Sequence, residues 1–148
     1  MEHFYILRLS KELRRNLKTY RDSLYAQYGH PDFLSLEPCI ILGPTSEKEQ
    51  TPFVDCPSLP LTTENKSSYH QGMLYLPIPD NPFARLREQL GTTYPFDGIY
   101  LGTKETTLTV DPIRITDVRL AILTIQRDED LMLWEFSAEK HLDSDRGR

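Results

Sequence analysis

Pro38-Cys39-Ile40-Ile41-Leu42-Gly43-Pro44 is the stretch on which the fold turns. An apolar run closed by glycine and proline has the composition of a buried strand with an abrupt exit. Further along, Gly98-Ile99-Tyr100-Leu101-Gly102 repeats the apolar run and its glycine exit. Side chains two apart on a strand point to one face. Cys39 and Ile41 therefore share one face, as do Gly98 and Tyr100, and the two pairs are expected on the same side.

Working outward, Phe4 to Leu9 is a short apolar strand ended by Ser10, a residue suited to an N-cap. Leu13, Leu17, Tyr20, Leu24 and Tyr28 then recur at helical spacing, with Gly29 placed to terminate the helix and Pro31 to prevent its continuation. The opposite side carries Lys11, Arg14, Arg15, Lys18 and Arg21, read as a solvated face. The strand leading into the first motif is expected over Phe33 to Leu42, with Pro38 at an edge or bulge because proline donates nothing to a ladder. Residues 44 to 68 hold four prolines among many polar residues and read as mobile surface. A strand is expected over Tyr69 to Pro79. Asn81-Pro82 then reads as the N-cap and first position of a short helix bearing Phe83, Leu86 and Leu90 and closed by Gly91. Beyond Gly98–Gly102 the pattern predicts a strand over Leu108 to Ile115. A hairpin of Val118–Gln126 with Leu131–Phe136 follows around Arg127–Asp130.

The chain has 148 residues, which fits one domain over 1–142 with a polar tail at 143–148. With 17 basic against 22 acidic residues the net charge is −5, which argues against bulk attraction to a nucleic-acid backbone. No stretch approaches the roughly 18 apolar residues of a membrane span, and the first residues do not read as a signal peptide. Cys39 and Cys56 are the only cysteines, without CxxC spacing, so a reducing, cytoplasmic setting is expected; the chain is also expected to be a monomer.

The two motif segments, their order among the other elements, and the strand Gly72–Leu76 followed by Phe83-Ala84-Arg85-Leu86 resemble the two-histidine (2H) phosphoesterases, the 2′-5′ RNA ligase-like superfamily. The closing stretches Asp117–Leu120 and Leu131–Trp134 extend the resemblance over nearly the whole chain. It implies an α+β, bilobal fold with two antiparallel sheet-centred lobes and helices outside. In that family each motif reads His-x-Thr, and the two histidines act on one phosphate as general base and general acid. Here the histidine positions are Cys39 and Gly98 and the threonine positions Ile41 and Tyr100. The resemblance thus implies a degenerate, non-catalytic homologue whose cleft between these four residues binds or scaffolds. A nucleotide, an RNA end or a protein is the partner class left open. Two alternatives stand beside it: an active 2′,3′-cyclic or 2′-5′ phosphodiesterase with an unconventional site, and a protein-interaction module.

The remaining chemistry is sparse. His3, His30, His70 and His141 share no ligand spacing, and no HExxH, Walker, GxGxxG or GxSxG pattern is present, so neither metal nor cofactor is expected. Cys39 in an apolar strand reads as an inert structural thiol, and Cys56 as a loop residue. His70 and Lys104 are the expected ligand contacts beside the cleft, with Arg85 and Arg87 as further phosphate candidates or solvated charges. Tyr100 either stacks a base or plugs the cleft with its ring, and plugging is the reading adopted.

Overall fold

A computed structural model describes residues 1–28, 36–103, 105–128 and 131–142, the side chains of 24–28, 127, 128, 131 and 132 excepted. The elements are β1 (Glu2–Leu9), α1 (Lys11–Tyr28), β2 (Cys39–Pro44), β3 (Leu61–Thr62), β4 (Ser68–His70), β5 (Met73–Pro77), α2 (Ala84–Leu90), β6 (Gly98–Gly102), β7 (Arg114–Ile115), β8 (Val118–Asp128) and β9 (Leu131–Leu142). Seven strands form one antiparallel sheet in the order β4-β5-β6-β2-β1-β8-β9, and β3 pairs with β7 alone. The class is α+β, as expected. The large sheet runs without a break in its strand order, where two sheet-centred lobes were expected.

Alternation along the strands divides the core in two. Tyr5, Leu7, Leu9, Ile40, Leu42, Leu74, Leu76, Ile99, Leu101, Leu120 and Ile122 face the side on which Leu17 of α1 and Leu86 of α2 are buried. The other side gathers Ile6, Leu36, Cys39, Ile41, Tyr100, Ala121, Leu123 and Ile125. Among the described residues no apolar helical side chain joins this second cluster. Half-buried Phe4, Met73, Tyr94, Trp134 and Phe136 surround it instead.

Helix α1 starts as its sequence requires. The Ser10 hydroxyl accepts the Leu13 N–H at 3.3 Å and its carbonyl accepts that of Arg14 at 3.0 Å. Leu17 is fully buried, with Leu13 and Tyr20 packed beside it. Arg21 corrects the solvated-face reading: it is 4% exposed and donates through Nη1 to the Leu36 carbonyl. Gly29, Pro31 and the polar tail lie outside the described residues.

Other boundaries move for backbone reasons. β2 begins only after Pro38, so the proline precedes the strand rather than interrupting it. Of the longer strand expected there, residues 33–35 lie outside the described residues. The expected strand over Tyr69 to Pro79 is a hairpin, β4–β5, folded at Gln71 (φ 50°) and Gly72 (φ 78°). Two consecutive positive-φ residues are what a two-residue turn matched to strand twist needs. Asn81 (φ 51°) follows Asp80 (φ 74°) in a left-handed turn and does not cap α2, which starts at Ala84 without a side-chain cap; Gly91 (φ 70°) closes it as expected. The expected strand over Leu108 to Ile115 reduces to a bridge at Thr109 and the two residues of β7, because Pro112 removes a donor from its middle. Nor is 44–68 loose surface: Val54 and Leu61 join the core, and buried Thr63 accepts the Ile113 N–H at 2.9 Å.

One buried guanidinium fixes the middle of the sheet. β2 and β6 pair only at Cys39↔Tyr100 and Ile40↔Ile99, after which they part. Arg87 of α2, 8% exposed, fills the parting: Nε donates to Leu42 O at 2.9 Å, and Nη2 to Ile41 O at 3.1 Å and Phe96 O at 3.2 Å. Its Nη1 pairs with Asp97. Arg87→Met is expected to cost about 3–5 kcal/mol, because the Asp97 carboxylate and three carbonyls lose their cation together. Urea unfolding measures it; a loss below about 1 kcal/mol, the scale of an exposed pair, would show the network to be incidental.

Candidate functional site

The four motif positions come together, but as neighbours in a packed layer. Cys39 lies directly opposite Tyr100 on the adjacent strand, and Gly98 and Ile41 continue the same face. Cys39 is 0%, Tyr100 5% and Ile41 6% exposed, and Gly98 is buried. A cavity of about 630 Å³ lies elsewhere, between the start of β1 and the Pro44–Lys48 segment, and none of the four residues lines it.

Gly98 has no room for a side chain. A Cβ there would stand 2.5 Å from the Leu76 carbonyl oxygen and 2.8 Å from Cδ2 of Tyr75. The Tyr75 ring stacks on Phe96 at 4.0 Å, Tyr94 meets Phe96 edge-on at 5.0 Å, and the Tyr94 hydroxyl donates to Met73 Sδ at 3.0 Å. Aromatic rings thus pack beside the position where the resemblance implies a catalytic imidazole.

The electrostatics of this layer oppose ionisation. Burial pushes the Cys39 thiol far above its ordinary value, Glu37 adds to the shift, and Arg21 and Arg8 only partly offset it. Burial chiefly, with Cys39 nearby, pushes Tyr94 up to about 12. A neutral thiol and a neutral phenol supply neither a base nor a nucleophile near pH 7.

The other candidates are scattered. His70 sits exposed on edge strand β4, opposite Met73, two strands away from β6. Lys104 and His30 lie outside the described residues. His3 bonds Thr124 across strands at 3.0 Å, and His141 pairs with Asp117. Arg85 is an exposed partner of Asp55 at 2.9 Å, whereas Arg87 is the buried clamp and no phosphate contact. Neither Cys39 nor Cys56 is in a disulfide, and the half-buried Cys56 Sγ–H points to the Leu142 carbonyl at 3.7 Å. Among the described residues no group of three or more His, Cys, Asp and Glu could hold a metal ion.

Compared with protein-family models, curated proteins and solved structures, the chain matches none.

Sequence reasoning missed two arginine networks. Arg8 binds Glu37 through Nε and Nη2, both at 3.1 Å, and Arg14 reaches the same carboxylate at 3.4 Å. Arg87 had a signal that went unread: it stands four residues after Phe83 and three before Leu90, on the buried side of α2.

The Cys39 environment fixes a pH dependence. An unfolded thiol ionises near pH 8.5 while the folded one keeps its proton, so above that pH the unfolded state binds fewer protons and stability falls. The slope from this one group approaches about 1.4 kcal/mol per pH unit. Cys39→Ala should lower stability near neutrality yet flatten its decline above about pH 8.5. Parallel declines for variant and native protein in urea unfolding would show that Cys39 ionises as freely folded as unfolded.

Proposed function

We propose that this chain is a non-catalytic domain of the 2H phosphoesterase type, a degenerate homologue of the 2′-5′ RNA ligase-like and cyclic phosphodiesterase enzymes, working as a binding or scaffold domain. One observation carries the reading: the four positions aligned with the two catalytic motifs are adjacent on one sheet face, and all are buried. Adjacency is what two convergent motifs require. Their present side chains remove both the acid and the base. At position 98 the neighbouring strand also leaves no space for an imidazole.

Ile41 and Tyr100 are larger and less polar than a threonine that would donate to phosphate. Burying each is worth roughly 1.5–3 kcal/mol in removed apolar surface, which favours a filled layer over an open cleft. Any partner therefore meets this domain on surfaces outside the motif layer. The half-buried aromatic margin of Phe4, Tyr94, Trp134 and Phe136 is one such surface.

The test is turnover of 2′,3′-cyclic nucleotides and 2′-5′ linked dinucleotides by the purified chain in the presence of a chelator. A positioned acid or base contributes about 10²–10⁴-fold each, so no hydrolysis above the buffer rate is expected. Hydrolysis that disappears in His70→Ala would overturn the reading in favour of an unconventional active site, because a contaminant would not respond to that substitution.

A further inference from the structure

We propose that the free edge of β9 pairs with the same edge of a second copy of this chain, the two strands running antiparallel about a twofold axis at Trp134. The contact lies outside the motif layer and does not rest on the function proposed above.

The sheet ends at β9, and this edge is protected over only part of its length. Along the second half of the strand the 48–56 segment lies against it. The Ser137 hydroxyl donates to the Lys48 carbonyl at 3.4 Å, the Thr51 hydroxyl donates to the Ala138 carbonyl at 3.1 Å, and Cys56 Sγ–H points to the Leu142 carbonyl. Ala138 (φ 52°) adds a bulge. Bulges and covering segments keep an edge from pairing with another chain. Among the described residues the first half of β9 has neither. There the β8–β9 hairpin outruns β1, whose last pair is Glu2↔Ile125. Gln126↔Leu133, Arg127↔Met132 and Asp128↔Leu131 continue as a two-stranded ribbon, which is marginal in water without a third strand.

The surface of this ribbon fits its own copy. Leu133 is 55% exposed, and with Met1, Thr124, Gln126, Trp134 and Glu135 it lines a hollow of about 220 Å³. Leu133 and Glu135 are two apart on the strand and share a face. Antiparallel pairing about Trp134 sets position 133 opposite position 135 of the second copy. Leu133 then meets Glu135 and the hollow that this residue lines, and symmetry repeats the contact. One patch thus carries both the projecting leucine and the hollow that receives it.

The acidic residues select the register. Pairing about residue 135 would set Glu135 against its own copy, and pairing about residue 137 would set it against Glu139. Like charges directly opposite destabilise a sheet. Pairing about Trp134 avoids both and gives a cross-strand aromatic pair on the other face.

The experiment is sedimentation velocity of the full chain between about 5 and 500 μM, the range over which a small interface associates. A monomer–dimer equilibrium is expected. Leu133→Glu should associate about tenfold or more weakly than Leu133→Lys, because position 133 faces Glu135 of the second copy at two symmetric places. Tyr69→Glu and Tyr69→Lys, on β4 at the opposite edge of the sheet, should not separate in this way, which isolates the contact from net charge. Urea midpoints of the Leu133 variants should stay near that of the native chain, since this side chain is largely exposed. A monomer at every concentration would overturn the proposal. So would equal association of Leu133→Glu and Leu133→Lys, or a separation matched at Tyr69, since the contact would then lie elsewhere or report charge alone.

Discussion

The architecture depends on what happens where β2 and β6 stop pairing. After two residue pairs the ladder between the two parts of the sheet ends, leaving the Ile41 and Leu42 carbonyls without strand donors from β6. A buried carbonyl without a donor costs on the order of 1–3 kcal/mol, so a parting of strands in the core needs an outside source of N–H groups. Arg87 provides it from α2, reaching both carbonyls and that of Phe96 while Asp97 balances the charge. The segment after α2 is drawn equally close: Thr92 Oγ1 donates to the Pro44 carbonyl at 2.8 Å. A Cβ on Gly43 (φ 149°) would meet that hydroxyl at 2.2 Å, so the glycine exit of the first motif is set by this approach.

With the parting sealed in this way, the motif face becomes core. Cys39, Ile41 and Tyr100 lie over the same junction that Arg87 braces, and aromatic side chains from β5 and the approach to β6 fill in beside Gly98. A phosphodiester site would need ionisable groups, water and a place for the substrate. This layer offers a thiol kept neutral by burial and a packed ring. Charged side chains lie instead at the end of the same face, where Arg8 is bonded by Glu37 and Glu139 and His141 pairs with Asp117.

Local chemistry made much of the fold legible in the sequence. Ser10 announced the start of α1, Gly91 the end of α2, and the two motif segments became adjacent strands with their odd and even residues on the faces that alternation required. The failures share a cause. The single strand expected over Tyr69 to Pro79 ran straight through Gln71-Gly72, where positive φ at both residues folds a hairpin. Arg21 and Arg87 were read by residue type as solvated, yet each is buried because a backbone carbonyl near β2 needed a donor. No pattern within one segment records such a demand; it arises from the pairing of segments far apart in the chain. The ion pairs of Arg8 with Glu37 and Glu139 were invisible for the same reason, since they join residues far apart in the chain.

The central claim is that the motif face is closed core rather than a cleft, and the reactivity of the Cys39 thiol reads that directly. In a Cys56→Ser background Cys39 is the only thiol. Its rate with an aromatic disulfide reagent should then follow global unfolding, with negligible modification in native buffer and full modification in denaturant. Modification of the native protein at the rate of an exposed cysteine, with no change in the unfolded population, would place Cys39 in an open cleft and contradict the account.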